Sequence, residues 1–361
     1  MLFDLEGMIR IEIVNPPQSH GDYLKEEFHF LKSRPIVENQ PDVRIIFRES
    51  MKYDQSQVTV VEAPVGYDSE GVFFFDPNHE MVRIDFANFD KGTTVLKVSP
   101  DFNQHFLYII VLYLISFKAI LHGAVFCHAS AVNYRGKTML FPAWRHTGKT
   151  NLMLALLKAG GELIADDGVL LFENGEILSY SKRIHLLYFN FLANPNLYTK
   201  IDTATKSLLG FVENTRNGIY DISEGTIEVI KKLIRVRLPN SEISGIEHKP
   251  IRYNCDVIIN LNKNLGSVPS KTTLVPIELG QLATKMTGST IFELSHFLTA
   301  YHAQALSEAN VVSSLSNSSI LINGIITEGL SMVSNHMELS FHEHIDTDLA
   351  ITLIDRYLNE S

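Results

Sequence analysis

Short apolar runs broken by turn-forming residues fill the first hundred positions. Met8–Val14, Val43–Arg48, Val58–Ala63, Gly71–Phe75, Met81–Phe86 and Thr93–Val98 are rich in Val, Ile and Phe. Pro16-Pro17 and Asp76-Pro77-Asn78 punctuate them. This pattern predicts strands, and so a mostly β N-terminal domain over residues 1–100. The pattern then changes. Residues 101–123 read as one helix, whose apolar stretch Phe106–Leu121 is 16 residues long and carries Lys118. A bilayer needs about 20 apolar residues, so a buried helix is expected rather than a membrane span.

The middle of the chain alternates strand and helix signals. Cys127–Tyr134 reads as a strand, followed after Arg135-Gly136 by a second in Lys137–Phe141, together a hairpin. Asn151–Ala159 is a run of helix formers stopped by Gly160-Gly161. Glu162–Ala165 reads as a short strand ending in Asp166-Asp167. Val169–Phe172 and Glu176–Leu178 flank Asn174-Gly175, a type I′ hairpin signal. Further on, Asp256–Leu261 reads as a buried strand, Ser289–Glu308 as a helix, Ser313–Ser319 as a loop and Asp346–Leu358 as an amphipathic helix. Residues 181–250 carry little pattern. An α/β second domain over 101–361 is predicted.

Composition narrows the function classes. Of 361 residues, 45% are hydrophobic and 20% charged, which fits a globular chain. A net charge of −10 argues against a nucleic-acid-binding surface. The basic run Lys231–Arg237 reads as a solvated face. Only Cys127 and Cys255 occur, too few for a disulfide framework, so a cytoplasmic setting is expected. The start, MLFDLEGMIRIEIV, has no basic segment before an apolar core and is not read as a signal peptide.

The chemistry is concentrated in AWRHTGKT, residues 143–150, between the Lys137–Phe141 strand and the Asn151–Ala159 helix. Gly148-Lys149-Thr150 at such a junction has a physical logic. The first N–H groups of a helix are unpaired and attract anions, glycine lets a phosphate approach, lysine reaches the β- and γ-phosphates, and the threonine hydroxyl suits Mg2+. Ala143, Trp144, Arg145, His146, Thr147, Gly148, Lys149, Thr150 and Asn151 therefore form a candidate nucleotide site for ATP. The pair Asp166-Asp167 would supply a proton acceptor and a metal ligand, with Thr150 and Asp167 at the metal. A turn-forming or helix-capping pair is the plainer alternative. Cys127 reads as a core thiol. His336, His342 and His344 cluster, with an exposed strand face as the plainer reading and a metal site as the other.

The stretch HASAVNYRGKTMLFPAWRHTGKTNLMLALLKAGGELIADDGVLLF resembles the core of the HPr kinase/phosphorylase family, to which the phosphoenolpyruvate carboxykinases are more distantly related. His128 lies 15 residues before Ala143, and Asp166 lies 17 after Lys149. The resemblance covers Leu121–Leu178, about a sixth of the chain. It implies an ATP- and Mg2+-dependent kinase with a phosphate-binding-loop α/β core. Asp166 would be the acid/base, Asp167 its support or a metal ligand, Lys149 and Thr150 the phosphate and magnesium ligands, and His128 a histidine beside the reacting phosphate. A packed core histidine is the plainer reading of His128.

The sequence departs from that pattern where Ala143 and His146 stand in place of glycines. A left-handed backbone at Ala143 would cost about 1–2 kcal/mol. Arg145 or His146 could add charge at the phosphates, and Trp144 could pack on the nucleotide or the strand below. The N-terminal domain shares no motif with the HPr enzymes, so the acceptor hydroxyl is left open among a protein, a peptide and a small molecule. Peptide-tailoring kinases with related cores make a peptide plausible. The contrasting expectation is a non-catalytic nucleotide-binding sensor or scaffold with a degenerate loop, and a third is phosphorolysis in the reverse direction. No nucleic-acid or membrane partner is expected, and a homo-oligomer is left open.

Overall fold

The structure, a computed structural model, describes residues 1–29, 31–33, 40–48, 51, 59–62, 64–68, 71–86, 89–180, 182–216, 223–245, 250–266, 271–307 and 317–360. It is a mixed α/β protein with several sheets.

Residues of the first hundred build a nine-stranded mixed sheet. Ile9–Val14 shows why: Ile9, Ile11 and Ile13 are buried while Arg10, Glu12 and Val14 between them are partly exposed. It pairs in parallel with Val43–Phe47, which pairs in parallel with Thr94–Val98. Leu2–Leu5, Val65–Asp68 and the helix Gln18–Glu27 were not expected from the sequence. The expected strand Val58–Ala63 is Thr59–Glu62; its two end residues lie outside the described ones.

The helix Gln104–Ala119 starts at Asn103, whose side chain accepts from the N–H groups of His105 and Phe106. Helix Gln104–His122 is long and apolar enough to cross a membrane, but 61% of its apolar window is buried inside the protein. Phe117 packs there against Phe89, Phe297 and Tyr301. The apolar run is thus consumed by the core of this chain.

Two sheets follow. One has six strands, in the order Glu162–Ala165, Ala129–Tyr134, Lys137–Pro142, Val257–Asn264, Asn335–His342, Thr273–Pro276. Its third, fourth and fifth strands run parallel. The other sheet is antiparallel: Ala124–Cys127, Val169–Phe172, Glu176–Ser179, Arg252–Asn254. The expected single strand Cys127–Tyr134 is therefore two strands in two sheets, separated at His128. The chain returns between the same sheets at Asp166–Gly168, after Glu162–Ala165 and before Val169–Phe172. Because Cys127 pairs with Val169 and Ala131 with Ala165, the two crossings lie side by side.

Other expectations are corrected. The Val169–Ser179 hairpin has a three-residue loop in which Gly175 (φ 80°) has a positive φ and Asn174 does not, so it is not type I′. The helix expected over Ser289–Glu308 is two, Leu279–Glu293 and Ser295–Ser307, divided at Leu294; Glu308 lies outside the described residues. Of the loop expected over Ser313–Ser319, residues 313–316 lie outside the described ones, and Ser318 and Ser319 begin the helix Ser318–Ser331. In residues 181–250, Ile184–Leu187 pairs with Arg235–Leu238.

Candidate active site

The strand Lys137–Pro142 is buried from Thr138 onward and ends in the parallel part of the six-stranded sheet. The chain then turns through residues 143–148 into the helix Lys149–Lys158. Gly148 precedes this helix with φ 99°, and no side chain caps the first turn. A Cβ on Gly148 would lie 2.9 Å from Ile345 Cγ2, so both backbone shape and space require glycine. The uncapped N–H groups leave the anion-attracting end of a helix beside the loop.

The strain expected at Ala143 is absent. Ala143 is buried, bridges to Leu261 of the parallel neighbour, and is not among the residues with positive φ. His146 takes the left-handed conformation instead, at φ 59°. It is exposed. Thr147 donates to the Trp144 carbonyl at 2.5 Å and closes the turn. Trp144 lies against Phe292 with ring centroids 4.7 Å apart. Arg145 donates two bonds to the Glu293 carboxylate, from Nε and from its terminal nitrogen, each 2.6 Å. The loop is thus anchored to the end of helix Leu279–Glu293. Asn151 accepts from Asn190 at 2.8 Å and ties the following helix to Tyr188–Ala193.

The acidic pair divides its work. Asp166 is buried, accepting from Ser130 Oγ at 2.5 Å and from Thr150 Oγ1 at 3.0 Å. Asp167, at φ 59°, turns the other way. Its carboxylate lies 3.4 Å from Lys149 Nζ, 3.0 Å from Lys182 Nζ and 3.2 Å from His128 Nε2. The sequence reading grouped Thr150 with Asp167 at the metal; the structure joins Thr150 to Asp166. The reason is backbone direction: the strand Glu162–Ala165 has ended, and Asp167 takes the left-handed conformation that turns its side chain away from that of Asp166.

These contacts set the charges. Burial and the neighbouring Asp167 raise the pKa of Asp166, partly offset by Ser130, Lys149 and Thr150. Burial also works against an ionised Asp167, but Lys182, Lys149 and His128 together hold it well below the usual carboxylate range. For Lys182, burial is outweighed by Asp167 and its pKa rises. His128 falls from 6.5 to about 4, chiefly through burial and then through Lys149, so the ring is neutral at pH 7. Lys149 Nζ, 2.6 Å away, must donate to Nε2. The ring proton is therefore assigned to Nδ1, which faces Glu293 Oε1 at 3.4 Å. Arg145 and His128 in turn hold the buried Glu293 below its ordinary pKa.

Ser130, Lys182 and Glu293 belong to this cluster and were not singled out in the sequence. Ser130 follows His128 by two positions, a period-2 signal that the break at His128 obscures. Nothing local marks Lys182 or Glu293. Cys127 is buried, as expected for a core thiol. The C-terminal histidines do not converge: His336 Nε2 bonds the Leu330 carbonyl, His342 Nε2 bonds the Gly266 carbonyl, and His344 lies beyond the strand Asn335–His342. Among the described residues no group of three or more His, Cys, Asp or Glu could hold a metal ion.

No protein-family model matches this sequence, and no curated protein matches it. Among solved structures, the HPr(Ser) kinase/phosphatase from Coxiella burnetii aligns with 65% of this chain and 97% of its own, at 12% identity and a TM-score of 0.29. This is a distant structural likeness. The chemistry of the site stands on its own residues.

Proposed function

We propose that the chain is an ATP- and Mg2+-dependent phosphotransferase acting on a hydroxyl group. One observation carries the reading. The lysine and threonine of a glycine-lysine-threonine helix start each touch a different member of one acidic pair: Thr150 meets Asp166, and Lys149 meets Asp167. Groups suited to phosphate, metal and proton are then within a few ångströms of each other.

The helix N-terminus and Lys149 bind the terminal phosphates. Thr150 and Asp166 are the oxygen donors that would hold Mg2+, a cation normally bound through one or two protein oxygens and the nucleotide's own phosphates. When bound, the ion supplies positive charge at the phosphate oxygens. Asp167, kept ionised by its cations, takes the proton of the acceptor hydroxyl. The hydroxyl oxygen forms its bond to the γ-phosphorus as the bond to the β-bridging oxygen breaks, and ADP leaves. His128 is a positioning residue that holds Lys149. This exchanges the roles expected for Asp166 and Asp167 from the sequence.

A non-catalytic nucleotide-binding module is the second reading. It is favoured by the engagement of Arg145 with Glu293, which leaves the loop's arginine paired to a carboxylate of the protein itself. Titration with ATP and Mg2+, followed through the chain's one tryptophan, Trp144, tests the binding step. Lys149→Ala should weaken binding by ~1.5–3 kcal/mol, roughly 10- to 150-fold. Equal affinity in the variant would remove the phosphate-binding role. Release of terminal phosphate by the wild type separates an enzyme from a binding module.

A further inference from the structure

A cavity of about 300 Å3 opens beside the start of the loop. Its walls include His128, Trp144, Asn260, Asn262, Lys285 and Met286. It lies where parallel strands end, since Ala143 and Leu261, both in its lining, bridge the strand Lys137–Pro142 to Val257–Asn264. In open α/β sheets ligands occupy this crevice. His128 in its wall touches Lys149, so the cavity adjoins the place of the terminal phosphate.

The polar wall is built and held. Glu338 accepts from Asn260 Nδ2 and from Asn262 Nδ2, each at 3.0 Å, and forms an ion pair with Lys285. Asn260 is 94% buried, at 6% exposure. Among the described residues neither Asn260 Oδ1 nor Asn262 Oδ1 accepts a hydrogen bond. Each amide oxygen is thus an accessible acceptor in the cavity wall, open to a ligand that donates a hydrogen bond. Among the described residues Lys285 is the one lysine, arginine or carboxylate in the lining, and Glu338 neutralises it. Trp144, 50% exposed, offers an aromatic surface. The volume is at the low end of the ~300–1,000 Å3 of small-molecule sites, enough for one ring.

We propose that this cavity binds the phosphate acceptor, and that the acceptor is a neutral polyhydroxylated molecule of about monosaccharide size. Amide carbonyls accept its hydroxyl protons, the Trp144 ring covers its apolar face, and the absence of an unpaired charge in the walls selects against anions. That the bound molecule is an acceptor rests on the phosphotransfer reading; that it binds does not.

Gly288 provides the test. It lies in helix Leu279–Glu293, lines the cavity, and an added Cβ there would meet nothing within 4 Å. Saturation-transfer NMR with D-glucose, D-ribose, ribitol and myo-inositol gives binding without nucleotide, and calorimetry gives the affinity. At least one of these should bind the wild type and Gly288→Ala, and binding should fall by about tenfold or more in Gly288→Phe, which fills the space, with ATP affinity unchanged. Asn262→Leu, which removes a carbonyl without filling the cavity, should lose about tenfold as well, corresponding to one hydrogen bond. The proposal is overturned if none of the four binds, if Gly288→Phe and Asn262→Leu both bind as the wild type does, or if a hexose phosphate binds more tightly than the hexose. Polyol binding in a chain that does not bind ATP would uphold the cavity's ligand class and overturn its role as acceptor site, together with the phosphotransfer reading. ATP binding with no polyol bound would overturn the cavity alone.

Discussion

Lys149 Nζ stands 2.6 Å from His128 Nε2, an ammonium donating to a neutral imidazole across 21 residues of sequence. The contact exists only while His128 is unprotonated. Its pKa is lowered from 6.5 to about 4, so between these values the unfolded chain holds the proton and the folded one does not. The stability it contributes is fully present above pH 6.5 and is lost as pH falls toward 4, with an upper limit of ~3 kcal/mol. Asp166, whose pKa is raised, pulls the other way, so the comparison that isolates the histidine is with His128→Gln. Urea midpoints of the two proteins should draw apart as pH rises from 4 to 6.5 and keep a constant gap above it. A gap that does not change with pH would remove the imidazole's role.

The two aspartates should fail differently. Asp167→Asn should slow transfer ~10²–10⁴-fold while ATP and Mg2+ binding stays within a few-fold of wild type. Asp166→Asn should instead weaken the magnesium dependence of binding, because Thr150 loses its carboxylate partner. Rates and metal titrations on both variants check this, and the reverse pattern would restore Asp166 as the proton acceptor.

Glu293 joins the loop to the rest of the site, accepting twice from Arg145 and facing His128 Nδ1. Glu293→Ala should cost about 1.5–3 kcal/mol of stability, the range for hydrogen bonds to charged groups. Amide exchange in residues 143–148 should also quicken as the anchor is lost. Unaltered exchange would mean that Trp144 on Phe292 holds the loop unaided.

The loop's two glycine replacements should respond in opposite directions. His146→Gly removes a side chain from a left-handed residue and should stabilise by about 1 kcal/mol. Ala143→Gly removes a buried methyl and loosens a strand-like backbone, and should destabilise by a similar amount. Thermal unfolding of the single variants measures both, and stabilisation by Ala143→Gly would show that the alanine is strained after all.

What the sequence by itself determined is what neighbours along the chain determine. Period-2 alternation in Ile9–Val14, helix formers ended by Gly160-Gly161, and Gly148-Lys149-Thr150 between a strand and a helix are local signals, and the strand, turn and helix stand where those signals put them. Alternation does not register a change of sheet within a run, so Cys127–Tyr134 read as one strand although the chain crosses at His128. Tertiary structure decided that this crossing lies beside the one at Asp166–Gly168. It also brought Lys182 to Asp167, and Glu293 to Arg145 across 148 residues. No local pattern encodes those meetings. They follow from how two sheets and the helix Leu279–Glu293 pack, and only the packed state places the charges close enough to set one another's protonation.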